Sequence, residues 1–450
     1  MQSFLERYFL GKEAYRTFWY AFLLSFPFSW RKVLIPTVGN SVSFNEYMDI
    51  SLYVSDLLLL LCLYLIIRHK YLNKSIFKQI RVFHVEQIGV LIILLYTLLN
   101  FYISPSKILW LDGFFNIIRI ISVGYISYYY FLQDKTCSTW NKMIGLLILL
   151  IPLLFQVLLG VFQYSSNHSL GITVFNESVF SVDMSGVAKI DLENGKQVRS
   201  YGTFLHPNIF AGYITVIFAI FLVFIKWYMF HVEQKWQYLK KFHVEQWSIF
   251  LFSIVCLFGL YVTHSKSGIL SFWLVFIVYM FHVEQKWQYL KKFHVEHIVF
   301  LMTSITLICV LQQSNINQSI SERVDISNNY MLLKQSPLIG QGLGQGVYIL
   351  NQENPYMPEW KIQPVHNIFI VGLLEYGILG MIIFLVFIMV YVGKMNVPRG
   401  TIGIHWLPMS AIFIVGMFDH YPLDIYVGNV LFGLSMSCLF LSKIIYIDNK

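Results

Sequence analysis

The chain has 450 residues and a mass of 52.8 kDa; 57% of it is hydrophobic, 18% aromatic and only 12% charged. Soluble proteins carry about twice that charged share, and a mean hydropathy of +0.61 agrees. A soluble enzyme, a disordered chain and a disulfide-built secreted module are therefore excluded. The 32 basic and 24 acidic residues leave a net +8. In a membrane protein such a surplus sets orientation through the cytoplasmic loops and gives no reason to invoke nucleic acid.

Apolar runs long enough to cross roughly 30 Å of hydrocarbon predict an all-α polytopic integral membrane protein of about twelve transmembrane helices. In chain order they cover 15–36, 50–67, 88–103, 107–133, 143–162, 205–226, 247–263, 268–281, 298–311, 367–391, 403–418 and 424–443. No short apolar stretch with a small-residue cleavage site opens the chain, so the first helix is expected to be retained. Five helices thus fall in 1–162, four in 205–311 and three in 367–450, with long polar loops at 163–204 and 312–366.

Charge predicts the orientation. With the N-terminus inside, the inner connections carry Arg68, Lys70, Lys74, Lys78 and Arg81; Lys135 and Lys142; Lys235, Lys240 and Lys241; Lys286, Lys291 and Lys292; and Lys394 and Arg399. Every one is basic, as the positive-inside rule requires, so both termini are predicted inside and both long loops outside. Cys62, Cys256, Cys309 and Cys438 lie in apolar runs and Cys137 in a short basic connection, so no disulfide framework is expected in those loops.

One repeat stands out. Met229–Glu245 reads MFHVEQKWQYLKKFHVE and Met280–Glu296 repeats it unchanged, inside predicted inner segments 229–246 and 280–297; FHVEQ recurs at Phe83–Gln87. Its histidines and basic-aromatic mix would suit a metal or a lipid surface. Identity over such a length points instead to recent DNA duplication. Phe-His-Val-Glu can be encoded by TTC-CAC-GTG-GAA, its own reverse complement, so the simpler reading is a palindromic DNA element, resembling bacterial chromosome-partition sites, inserted in frame.

The chemistry-bearing strings lie elsewhere. RSYGTFLHPNIFAGY from Arg199 stands where the first long loop enters a helix. Pro207-Asn208 favours a turn that starts the helix, and Ala211-Gly212 permits close packing. Arg199 can serve as an anion-binding cation or as an ordinary interfacial arginine. In Thr263-His-Ser-Lys-Ser-Gly268, Lys266 is a compact cation near the membrane plane, suited to a phosphate or to simple snorkelling. Arg323 in Ser-Glu-Arg-Val-Asp precedes SPLIGQGLG from Ser336, whose glycines would let backbone N–H groups approach an anion. His366, in Val365-His-Asn-Ile368, can act as a base or be structural. Asp419 and His420 in FDHYP can orient a substrate or cap a helix, and capping is the simpler reading. Asp56, Asp112, Arg119 and Glu375 fall inside apolar runs and need partners. Asp112 and Arg119 share a face, and Asp56 can reach Arg119 from a neighbouring helix. The long loops have no Asp-x-Asp or His/Cys cluster, and no HExxH or Gly-x-Ser-x-Gly occurs, which disfavours a metal-dependent transferase and a serine hydrolase.

Taken in order, RSYGTFLHPNIFAGY, Ser265-Lys-Ser-Gly268, Arg323 with SPLIGQGLG, His366-Asn367 with LEYGILG from Leu374, and DHYP at Asp419 resemble the O-antigen ligase and polysaccharide polymerase superfamily of bacterial inner membranes over about 190–440. The resemblance implies a GT-C-like membrane glycosyltransferase with no metal and no cofactor. Its donor would be a glycan on undecaprenyl pyrophosphate, and its acceptor a lipid-linked sugar or other hydroxyl. It also implies that the active site faces the periplasm. Carried over, Arg199, Lys266 and Arg323 bind the pyrophosphate and His366 is the base, with His206, Asn208, Asn367, Asp419 and His420 supporting. The family often has Ser-Arg where Ser265-Lys266 stands, which loses the bidentate fork. Ligase, polymerase and protein O-transferase share these strings, and a polytopic transporter or flippase of lipid-linked glycan remains the alternative from another class.

Overall fold

The computed structural model describes residues 14–36, 47–72, 84–133, 139–193, 195–232, 238–284, 295–312, 321, 323–324, 326, 336–357, 361–393 and 403–439. Helices dominate them. They are α1 (Ala14–Ser25), α2 (Val54–Leu72), α3 (His84–Ile103), α4 (Lys107–Tyr128), α5 (Thr139–Ser166), α6 (Pro207–Val232), α7 (Tyr238–Thr263), α8 (Lys266–Glu284), α9 (Val295–Gln312), α10 (Gly346–Glu353), α11 (Ile368–Gly393), α12 (Leu407–Gly416), the single turn α13 (Tyr421–Asp424) and α14 (Tyr426–Leu439). Among the described residues, five helical segments are long and apolar enough to cross a membrane: Lys107–Phe131, Met143–Ser166, Pro207–Trp227, Gln246–Thr263 and Ile368–Val386. Shorter apolar helices accompany them, as expected of a multi-pass membrane protein. Residues 233–237 and 285–294 of the two repeats, and Lys74, Lys78, Arg81, Lys135, Lys394 and Arg399, lie outside the described residues.

The chain is not helical throughout. The first predicted span, 15–36, stops early: Pro27 sits in a short 3-10 turn, and Ser29 turns the chain in the left-handed region. Strand β1 (Arg31–Ile35) then pairs antiparallel with β2 (Ile50–Tyr53), so the second helix starts at Val54. A second hairpin, β3 (Lys189–Leu192) with β4 (Gly195–Val198), orders the loop after α5.

Helix α6 is the hub. It is buried almost throughout and packs on α5, α7, α8, α12 and α14. Small residues set those distances. A methyl at Gly268 would collide with Ala211, and one at Gly212 with the Tyr421 hydroxyl. The strings around Ala211-Gly212, Gly268 and Tyr421 therefore interlock sterically. In the other half of the bundle the Arg119 guanidinium meets Asp56 bidentately, Nε to Oδ1 and Nη2 to Oδ2 both at 2.8 Å, and Nη1 donates to Asn429 at 3.0 Å. The expected pairing of Asp56 with Arg119 thus ties α2, α4 and α14 together.

The glycine-rich loop does something other than cradle an anion. Helix α11 breaks inside its span at Gly377, whose φ of 67° and ψ of −178° belong to glycine alone. Loop 336–345 threads into the break. Gln341 N–H donates to the Leu374 carbonyl (2.8 Å) and Gly342 N–H to Glu375 (3.1 Å), while Ile378 and Leu379 N–H groups donate to Pro337 (3.0 Å) and Leu338 (3.1 Å). Gly340 N–H is spent on Ser336. The Gly340 and Gly342 N–H groups, expected to face an anion, are thus spent on backbone carbonyls, Gly342 on the broken helix itself, whose freed groups need partners inside an apolar span. Gln345, fully buried, fixes the loop to α4 through Ser106 N–H (2.8 Å) and C=O (2.9 Å).

A Cβ at Gly377 would strike Gly340 N and Leu338 O. Gly377→Ala is therefore expected to cost at least roughly 1–3 kcal/mol in backbone strain and to lower the thermal midpoint in lipid nanodiscs. Gly186→Ala, also at positive φ but in open space, should lower it less.

Candidate functional site

Helix α6 begins where Pro207 fixes the first turn, and the preceding loop is clamped from α5. Gln163 accepts from the N–H groups of Tyr201 (3.1 Å) and Gly202 (2.8 Å), and Gln156 accepts from Thr203 N–H at 2.8 Å. This holds Arg199 over the α7–α8 turn. Its Nε donates to Thr263 O (2.8 Å) and its Nη2 to Asn208 Oδ1 (2.7 Å), which also accepts from Ser265 Oγ at 2.9 Å. Ser265 immediately precedes Lys266, the half-buried first residue of α8. His264 in that turn adopts a left-handed φ of 45°, and burial followed by Arg199 pulls its pKa down to about 4.

The turn after α12 supplies the centre. Asp419 is buried, and its Oδ1 accepts His420 N–H at 2.8 Å. His366 Nδ1 faces the same oxygen at 3.5 Å and His420 Nε2 at 3.7 Å. His420 Nδ1 lies 2.7 Å from Asp424 Oδ2. Burial opposes a charge on Asp419, but the imidazoles of His366, His420 and His206 outweigh it and hold the carboxyl below the usual carboxylate range. Arg323 Nη1 donates to Phe418 O (2.9 Å), and Asn367 donates to Met417 O (3.1 Å) while its Oδ1 caps α11 at Phe369 N–H (2.9 Å). His420, at the N-cap of α13, makes no side-chain cap; Asp419 and His420 instead join an ionic cluster.

Charge links this centre to the α6 entrance. Burial first, and then Arg323, pulls the Arg199 pKa down to about 10, against the upward pull of Tyr201 and Asp419. The group therefore stays cationic at neutral pH. His206 is driven down to about 3 by burial and then by Arg199, and its Nδ1 accepts Asn208 N–H at 3.2 Å. Arg199, Arg323, His206, His366, Asp419 and His420 thus act on one another directly or in a chain of neighbours, and Asn208 and Asn367 fix the backbone around them. Lys266 joins by its position beside Ser265. Two imidazoles and one carboxylate, from His366, Asp419 and His420, have ligand atoms within 4.8 Å of one another, a donor set that a zinc-type ion also accepts.

Residues 251–385 match the family model described as O-antigen ligase. This match supports membership of the O-antigen ligase superfamily. No curated protein and no solved structure matches the chain. For an O-antigen ligase or polymerase-type enzyme the substrates are, in general, a lipid-linked glycan and an acceptor. The matched stretch holds Lys266, Arg323, His366 and the broken helix, whereas Arg199, His206, Asn208, Asp419 and His420 lie outside it and reach the same site through the fold.

Three contributors were missed in the sequence. Asp424 stands four residues after His420, the helical spacing that marks a pair. Gln156 and Gln163, seven apart in an apolar run, share a helical face that needed a polar partner.

His206 yields a pH prediction. Its folded pKa of about 3 lies below the ordinary ~6.5, so the unfolded chain binds its proton more readily. Stability is expected to fall as the pH drops from about 6.5 towards 3. His206→Asn keeps a cap acceptor and removes that term, so its thermal midpoint should fall less between pH 7 and pH 4.5 than that of the wild type.

Proposed function

We propose that the protein transfers a glycan from undecaprenyl pyrophosphate to an acceptor hydroxyl at the outer face of the bacterial inner membrane, without a metal and with inversion. The observation that carries this reading is the placement of His366 against the buried Asp419 with the Arg199 and Arg323 charges beside them. With its proton on Nδ1 towards Asp419, His366 presents the Nε2 lone pair. The acceptor oxygen bonds to the anomeric carbon as its proton passes to Nε2. The bond from that carbon to the pyrophosphate oxygen breaks, and its electron pair leaves on the pyrophosphate. Charge grows there in the transition state, so fixed cations from Arg199 and Arg323, with Lys266 alongside, stabilise it more than the ground state. The long loops 163–204 and 312–366 face outside on this reading, and the spans hold the polyprenyl tail.

One observation favours transport instead: a helix broken within the membrane is common in transporters, where freed backbone groups bind substrate or ions. In α11 the carbonyls of Leu374 and Glu375 and the N–H groups of Ile378 and Leu379 are already paired with loop 336–345, so the break offers an ion few groups.

Transfer by the purified chain in lipid, with chelator present, is the test. A positioned base supplies about 10²–10⁴-fold, so His366→Ala should lower turnover by that factor with little change in donor binding. Arg199→Ala and Arg323→Ala should raise the donor KM as well. Activity lost to the chelator and restored by zinc would instead assign His366, Asp419 and His420 to a metal, and intact donor crossing the bilayer would establish a transporter.

A further inference from the structure

The histidine cluster has a geometry that the transfer steps leave unused. Asp419 Oδ1 lies 3.5 Å from His366 Nδ1 and 3.7 Å from His420 Nε2. One ligand atom from each of the three residues falls within 4.8 Å of the others. Zinc bonds of about 2.1 Å put neighbouring tetrahedral ligands about 3.4 Å apart. Small side-chain rotations therefore bring all three onto one ion, with the fourth position left to water.

The ligands are also oriented as a metal needs them. His420 Nδ1 lies 2.9 and 2.7 Å from the two oxygens of Asp424. A carboxylate accepts, so this nitrogen carries the hydrogen and Nε2 is left with its lone pair on the Asp419 side. A second carboxylate behind a histidine is the arrangement that orients zinc ligands and raises their basicity. Asp419 is fixed by the His420 N–H at 2.8 Å, and its turn by Arg323 on the Phe418 carbonyl. Two imidazoles with one carboxylate select a borderline ion such as zinc over magnesium or calcium, which take oxygen ligands. The charges of Arg199 and Arg323 act on this point and oppose a cation, which keeps the ion exchangeable.

We propose that His366, Asp419 and His420 form an inhibitory zinc site, in which the ion disables the base that the transfer needs. A neutral imidazole holds one ring hydrogen. With zinc on His366 Nδ1, that hydrogen moves to Nε2, and the lone pair offered to the acceptor hydroxyl is lost. The acceptor keeps its proton, and transfer stops while the donor still reaches Arg199 and Arg323. The inhibition rests on the transferase reading; the metal site itself does not.

The test titrates Zn²⁺, Co²⁺, Mg²⁺ and Ca²⁺ into the full chain in lipid nanodiscs, by calorimetry and, for Co²⁺, by visible absorption. Wild type should bind one more zinc per chain than His366→Ala and show a tetrahedral cobalt spectrum that the variant lacks. Asp424→Asn, which keeps the shape, should weaken zinc binding about 10–100-fold; the two variants lie on different elements, so either decides if the other misfolds. In transfer, saturating zinc should lower turnover by about 10²–10⁴-fold, the worth of a positioned base. EDTA should restore it, Mg²⁺ and Ca²⁺ should have no such effect, and the residual activity of His366→Ala should not respond to zinc. Equal zinc binding in wild type and both variants, equal inhibition by magnesium, or zinc that binds here and leaves transfer unchanged or raises it would overturn the proposal. Because the binding arm needs no turnover, a failure of the transferase reading shows separately: transfer absent even without zinc leaves the metal site standing and removes only the inhibition.

Discussion

A carboxylate buried at the end of a membrane helix is costly unless its charge is compensated. Asp419 meets that requirement with imidazoles instead of an arginine fork. His366 comes from the loop before α11 and His420 from the next residue in the chain. Two parts of the chain distant in sequence are thereby held around one oxygen-rich point. Asn367 and Arg323 bond to carbonyls of the same turn, at Met417 and Phe418, so the turn cannot move without breaking bonds on several elements. Remove the carboxylate's charge and the histidines lose their common partner.

The surrounding fold fixes this point among the ends of apolar helices. Proline starts α6 there, the α7–α8 turn is fixed by Thr263 and Ser265, and α11 is interrupted close by so that loop 336–345 can pass through it. A broken helix is tolerated in hydrocarbon only when its freed groups are paired, and the loop supplies those partners. The polar loop thus enters the broken apolar helix while its freed backbone groups stay paired. Arg199 and Arg323 stand beside the histidines, a placement that suits an anionic donor.

Much of this was legible in the sequence, for a physical reason. Charged residues in apolar runs are so costly that their partners are constrained, and Asp56 with Arg119 could be paired from position alone. Pro207 marked the start of α6, and Ala211-Gly212 a close approach. In SPLIGQGLG, Gly340 and Gly342 were misread because glycines that approach an anion and glycines that approach another backbone look alike; only Gly377, beyond the string, reveals which. Strand β1 was absorbed into the first helix because Val33, Leu34 and Ile35 are apolar in either structure, while the Pro27–Ser29 turn that separates them is short. The cluster at Asp419 was only half visible. Aspartate next to histidine is ambiguous, and its other partners, His366 and His206, are distant in sequence.

The most direct measurement is a cryo-EM structure of the chain in lipid with an undecaprenyl-pyrophosphate glycan bound. The account predicts the pyrophosphate against Arg199 and Arg323, with the anomeric carbon turned towards His366 Nε2. Pyrophosphate density remote from both arginines, or an anomeric carbon remote from His366, would contradict it.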